Sequence, residues 1–121
     1  EWMFEPVATD QLPVSDENLA VIQASLHDVT SVSHGTAFRA FEGLDVSVAG
    51  KTGTAESGQQ DPHAWFAGYA PAENPEIAIA VVVEHSGEGS VFAAPLFRKV
   101  LEAYFGISPD PAMTPTPTPG P

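Results

Sequence analysis

The run Ile77-Ala78-Ile79-Ala80-Val81-Val82-Val83 limits what this chain can fold into more than any other stretch. It is the longest apolar segment of the 121 residues. It falls well short of the roughly 18 apolar residues that suggest a bilayer span. It predicts a strand over Glu76 to Glu84. Both of its alternating faces are apolar, so the expected strand is covered on both sides. Two further strands precede it. One covers Asp45 to Glu56 and opens on the alternating Asp45-Val46-Ser47-Val48-Ala49-Gly50. The other covers His63 to Ala70 and is rich in aromatics. Between them, Ser57 to Pro62 reads as a polar loop. Pro71 to Pro75 reads as a turn of hairpin length.

Helices are expected on either side of these strands. Ser15 is a plausible N-cap, and Asp16 and Glu17 suit the positive end of a helix dipole. Leu19, Ile22, Leu26 and Val29 recur at helical spacing as one apolar stripe, and the helix should stop near Thr30. A short helix over Thr36 to Phe41 ends at Gly43. A last helix, capped by Ser90, turns Phe97, Val100, Leu101 and Tyr104 inward. Its Pro95 is tolerable only near the start, and Gly106 terminates it. The lead-in, residues 1–14, predicts a short strand or extended chain. The fold class is therefore α+β, an antiparallel sheet flanked by helices. Thr114 to Pro119 alternate Thr and Pro, and residues 107–121 predict an extended, mobile, disordered tail.

Charge removes several functions. Sixteen carboxylates face four basic residues, a formal net charge of -12. Nucleic-acid binding needs a basic stripe that this chain lacks, and adhesion to anionic lipid is disfavoured for the same reason. Without cysteine there is no disulfide or thiolate chemistry. His27, His34, His63 and His85 show no metal-ligand spacing, so no metal is expected. No signal peptide is visible at Glu1-Trp2-Met3-Phe4-Glu5, and the chain reads as a piece of a longer gene product.

The scarcity of cations makes Lys51-Thr52-Gly53-Thr54-Ala55-Glu56 conspicuous. A lone ammonium after Gly50, followed by two hydroxyls and a glycine, reads as an anion-binding strand edge with a proton-handling lysine. A solvated strand-end lysine beside a turn is the plainer alternative. Glu56 could face such a site, although a surface carboxylate is the simpler reading. Trp65, Phe66 and Tyr69 could line a groove, with core packing the more economical role.

Three ordered blocks carry a family resemblance. Val48 to Glu56, then His63 to Pro71, then Asn74 to Glu84 resemble the C-terminal part of class B penicillin-binding proteins, the peptidoglycan D,D-transpeptidases. Ala93 to Leu101 is similar to that family's final helix, and Gly35-Thr36-Ala37 to a segment that often precedes the lysine strand. The family uses Ser-x-x-Lys, Ser-x-Asn and Lys-Thr-Gly, and only the third is found in this chain. Ser47 lies one residue too far from Lys51, and Ser15-Asp16-Glu17-Asn18 has one residue too many.

The resemblance implies the C-terminal portion of the β-lactamase/transpeptidase-like fold over residues 1–106. It implies an acyl-serine mechanism on D-Ala-D-Ala stem peptides, acylation by β-lactams, and no cofactor. Lys51 would be catalytic, and Thr52, Gly53 and Thr54 would bind substrate. The Thr52 and Thr54 hydroxyls would hold the substrate carboxylate, and the Thr54 N–H would be one oxyanion donor. Gly53 would let a ligand lie against the strand as an added strand. The partners implied are the stem peptide or β-lactam and the missing N-terminal part of the same domain, which would bring the serine and a membrane anchor. The parent would act at the extracytoplasmic face of the bacterial cell membrane. The chain alone would be inactive and would expose apolar surface. A β-lactam sensor domain and a non-catalytic module of the same fold are the rival readings.

Overall fold

The computed structural model describes residues 7–58 and 60–109. Its elements run α1 (Asp16–Ser31), α2 (Phe38–Phe41), β1 (Ala49–Ser57), β2 (Gln60–Ala70), β3 (Ile77–Val83) and α3 (Ala93–Phe105). The strands form one antiparallel sheet in the order β1-β2-β3. Residues 7–14 hold no strand. The expected tail lies outside the described residues from residue 110 onward. Among the described residues no helix is long and apolar enough to cross a membrane.

α1 begins as expected. The Ser15 hydroxyl accepts from the Asn18 N–H at 3.3 Å, and Asp16 and Glu17 occupy the first turn. Its apolar stripe is less covered than its spacing predicts. Ile22 is exposed, Leu19, Leu26 and Val29 are half-buried, and Thr30 is the residue of α1 that is buried. Thr30 Oγ1 donates to the carbonyl of Val48, fastening the end of α1 to the entrance of β1.

One face of the sheet holds the core. Phe66 on β2, Phe41 on α2 and Phe97 on α3 meet with ring centroids 4.8 to 5.9 Å apart. Such tilted and edge-on pairs add about 0.5–1.5 kcal/mol each beyond area burial. Ala37, Ala40, Val48, Ala64, Ala70, Ala93, Ala94 and Leu101 complete the cluster. β3 contradicts the expectation of cover on both sides. Its residues alternate between half-buried and exposed, and Val82 is 46% exposed. Ile77, Ile79, Val81 and Val83 pack on the core, whereas Ala78, Ala80 and Val82 face outward.

Other features also differ from the sequence reading: β1 begins at Ala49 rather than Asp45, and α2 at Phe38 rather than Thr36. The polar segment from Ser57 to Pro62 is a hairpin rather than a loop: Ser57 pairs with Gln60, and β2 runs on through Pro62. Its exposed arms need no apolar residues, so alternation gives no strand signal there. Ser90 does not cap α3. Phe92 holds the N-cap position, without a side-chain cap. The amides of Ala93 and Ala94 donate instead to the carbonyl of Gly89, at 3.1 and 2.9 Å. The inward face of α3 keeps Phe97 and Leu101 but not Val100 or Tyr104, which are 44% and 53% exposed.

Arg98 and Glu102 are buried in their place. Arg98 Nε donates to Glu102 Oε1 at 2.7 Å, and Nη1 donates to the carbonyls of Ala40 and Glu42 at 3.2 and 2.9 Å. The guanidinium thus closes the C-terminus of α2, where a cation complements the helix dipole. α3 ends at Gly106, whose φ is 66°.

A polar hook joins the β2–β3 turn to the chain ahead of β1. Ser47 Oγ accepts from the Ala72 N–H at 2.9 Å and donates to Glu73 Oε2. That bond, then one from its own backbone, and then the field of His27 hold the Glu73 carboxyl below its ordinary 4.5, against the opposing pull of desolvation. The folded state therefore binds fewer protons than the unfolded state. This contribution to stability is full above pH 4.5 and is lost as pH falls through the lower folded value. Ser47→Ala should remove that part of the acid sensitivity. Unfolding midpoints of the two proteins should differ more at neutral pH than in acid, where only the loss of the Ala72 N–H bond to Ser47 remains. A constant difference at every pH would show that Ser47 acts through packing and the Ala72 bond, without the Glu73 carboxyl.

Candidate active site

Lys51, Thr52, Gly53 and Thr54 lie in the middle of β1, which is an edge strand among the described residues. Register assigns their faces. Thr52 pairs with Phe66 and Thr54 with Ala64, so both hydroxyl residues share the core face. Lys51 pairs with Ala67 and Gly53 with Trp65, on the opposite face. The four expected site residues are thus consecutive on one strand edge but divided between two faces. Glu56 is exposed, where the register shifts between Ala55 and Ser57.

The Lys51 side chain is exposed, and Nζ donates to the Thr52 carbonyl at 2.8 Å and to Thr52 Oγ1 at 3.4 Å. Among the described residues the only ion pair is Arg98–Glu102, so Lys51 faces no protein carboxylate within 4.0 Å. Its charge remains available to an anionic ligand, in a chain whose formal net charge is -12. Ser25, Asp28, Val29 and Val32 of the α1 end, with Thr36, share a shallow recess of about 220 Å³ with Lys51. Thr36 Oγ1 lies 3.1 Å from Thr52 Oγ1. The Thr36 contact is not evident from the residues, because sixteen positions separate the two threonines. The nearest signal is the small-residue run Gly35-Thr36-Ala37 itself.

Gly53 has a structural reason to lack a side chain. A Cβ there would stand 3.1 Å from Trp65 Cβ. The backbone of Gly89 presses on the same pair, and a Cβ on Gly89 would fall 2.2 Å from the Trp65 carbonyl and 2.5 Å from that of Gly53. The turn leading into α3 therefore rests directly against the lysine strand. Of the aromatics that follow, Phe66 is in the core, whereas Trp65 is 42% exposed on the other face. His63 and His85 meet as a tilted pair with ring centroids 4.4 Å apart, and His63 Nδ1 accepts from the His85 N–H at 3.1 Å. Among the described residues no three His, Asp or Glu side chains converge as a metal site.

Residues 3–102 match the model of the penicillin-binding protein transpeptidase domain. The chain belongs to the penicillin-binding protein transpeptidase family. Its relatives are class B penicillin-binding proteins. The peptidoglycan D,D-transpeptidase MrdA of Haemophilus influenzae is 36% identical over 94 residues, which is 65% of this chain and 14% of that protein. Penicillin-binding protein 2B of Streptococcus pneumoniae superposes with a TM-score of 0.72 at 33% identity, covering 90% of this chain and 19% of the other. Penicillin-binding protein A of Mycobacterium tuberculosis, as its imipenem acyl-enzyme complex, gives a TM-score of 0.61 at 37% identity over 76% of this chain and 20% of the other. The sheet and its helices are thus a portion of the β-lactamase/transpeptidase fold. The chain spans about a seventh of the length of the curated relatives it matches.

Proposed function

We propose that this chain is the C-terminal part of the transpeptidase domain of a peptidoglycan D,D-transpeptidase. The observation that carries the reading is Lys51: a cation without a carboxylate partner among the described residues, on a strand edge beside two threonines, in a family-matched segment. In the parent, a serine supplied by upstream sequence attacks the carbonyl of the penultimate D-Ala. Terminal D-Ala leaves, and an acyl-serine forms. Lys51 lends its positive field to the serine cluster and helps to move the proton. Thr52 and Thr54 hold the substrate carboxylate, and the Thr54 N–H is one oxyanion donor. A β-lactam enters by the same route, in keeping with the acyl-enzyme captured for the M. tuberculosis relative.

Residues 1–106 belong to that domain, and 107–121 form a tail. The parent acts at the extracytoplasmic face of the bacterial membrane, held there by upstream sequence. The present chain lacks Ser-x-x-Lys and is inactive alone. The test is the intact mass of the full-length protein after exposure to a penicillin. A single adduct on a serine upstream of this segment is expected, with the 121-residue chain unmodified. An unmodified full-length protein would overturn the reading.

A further inference from the structure

We infer that Thr36 is a positioning residue for the carboxylate of the ligand, acting through the hydroxyl of Thr52. The inference rests on the proposed function, and it assigns a role to a residue outside the Lys-Thr-Gly strand. The Thr52 hydroxyl has one proton to donate and two lone pairs to accept with. Lys51 Nζ already donates to it, at 3.4 Å, and Thr36 Oγ1 stands 3.1 Å away. If Thr52 gave its proton to Thr36, it could offer a carboxylate only lone pairs, which repel it. If Thr36 donates, Thr52 accepts twice, and its single proton is left to point outward at the anion. Lys51 has no acceptor capacity, so Thr36 is the group that can take either role. A carboxylate on Thr52 selects the arrangement in which Thr36 donates.

The position of Thr36 is fixed from both sides. Gly35 lies so close to the end of α1 that a Cβ would fall 2.4 Å from the Asp28 carbonyl and 2.5 Å from that of Val29. The Gly35 N–H donates to Val32 O at 2.8 Å, and the Ala37 N–H to Val29 O at 3.0 Å. Ala37 is 1% exposed, within the core. The same α1 terminus is tied to β1 through Thr30 and Val48. Thr36 is thus the exposed residue between two anchored neighbours, on a segment registered against the lysine strand. Such preorganisation costs little when the ligand arrives.

The test uses the full-length protein and its Thr36→Val, Thr36→Ser and Thr52→Val variants. Each is exposed to a penicillin and to that penicillin's methyl ester, and the acylation rate is read from intact mass over time. Thr36→Val should slow acylation by the free acid about five-fold, the scale of one lost hydrogen bond between neutral groups, because Thr52 keeps its proton but loses the donor that holds it outward. It should change the rate with the ester less than about two-fold, because the charged acceptor is gone. Thr36→Ser should restore the wild-type rate, and Thr36→Val should add little to Thr52→Val. An equal loss with acid and ester would show that Thr36 only supports the scaffold, and no loss with either would show no role. Both overturn the inference while leaving the proposed function standing. No adduct on the wild-type protein would remove the proposed function and this inference together.

Discussion

Lys51→Ala in the full-length protein should slow acylation by a penicillin about 10²–10⁴-fold, the range for losing a positioned proton-transfer or charge-stabilising group. Its effect on folding should stay within about 0.5 kcal/mol, as for surface substitutions away from special features. The contrast follows from the geometry. Lys51 is exposed, and its polar contacts are the carbonyl and hydroxyl of the next residue. β1 is held by its backbone pairing with β2. Removing the ammonium therefore takes a charge from the strand edge and nothing from the core. Lys51→Arg keeps the charge but not the readily shifted proton, so a variant close to wild type would assign Lys51 to anion attraction alone. A wild-type rate in Lys51→Ala would place the lysine outside the chemistry.

Arg98→Met should be the most destabilising single change outside the apolar core, at about 3–5 kcal/mol, because it leaves a buried carboxylate without its partner. Glu102 is 4% exposed, and the carbonyls of Ala40 and Glu42 would lose their donor as well. Arg98→Met combined with Glu102→Leu should recover much of the loss, since an apolar pair of similar volume removes the unpaired charge. The two carbonyls should hold the double variant somewhat below wild type. Urea midpoints of the three proteins check this. A single variant within about 1 kcal/mol of wild type would mean that Glu102 takes up a proton or reaches water when Arg98 is gone.

What could be read from the residues follows from how far each signal reaches along the chain. Ser15 as cap, the three strands and the end of α3 at Gly106 depend on neighbours within one or two turns, and all are found. The arms around Ser57 and Gln60 are solvated, so their strand character leaves no mark in hydropathy. The inward face of α3 is not legible in the residues, because Arg98 and Glu102 look like surface residues. Each is buried only because the other neutralises it, and because α2 presents its carbonyls there. Lys51 stood out because cations are scarce, and its openness needed only the knowledge that β1 is an edge. The Thr36–Thr52 contact depends on how α1 is fastened to β1, and no local pattern carries that information.

The order of the sheet also has a kinetic consequence. Among the described residues, each hydrogen-bonded strand pair joins elements that are consecutive in sequence. Hairpins of this kind close in about 1–10 μs, and short sequence separations favour rapid folding. Lys51 therefore finds its register opposite Ala67 early. The longest-range closure described above is the arrival of α3, with Gly89 on Gly53 and Arg98 on α2. Changes in the strands should alter the rate at which the site forms, whereas changes in α3 should alter chiefly the rate at which it is lost.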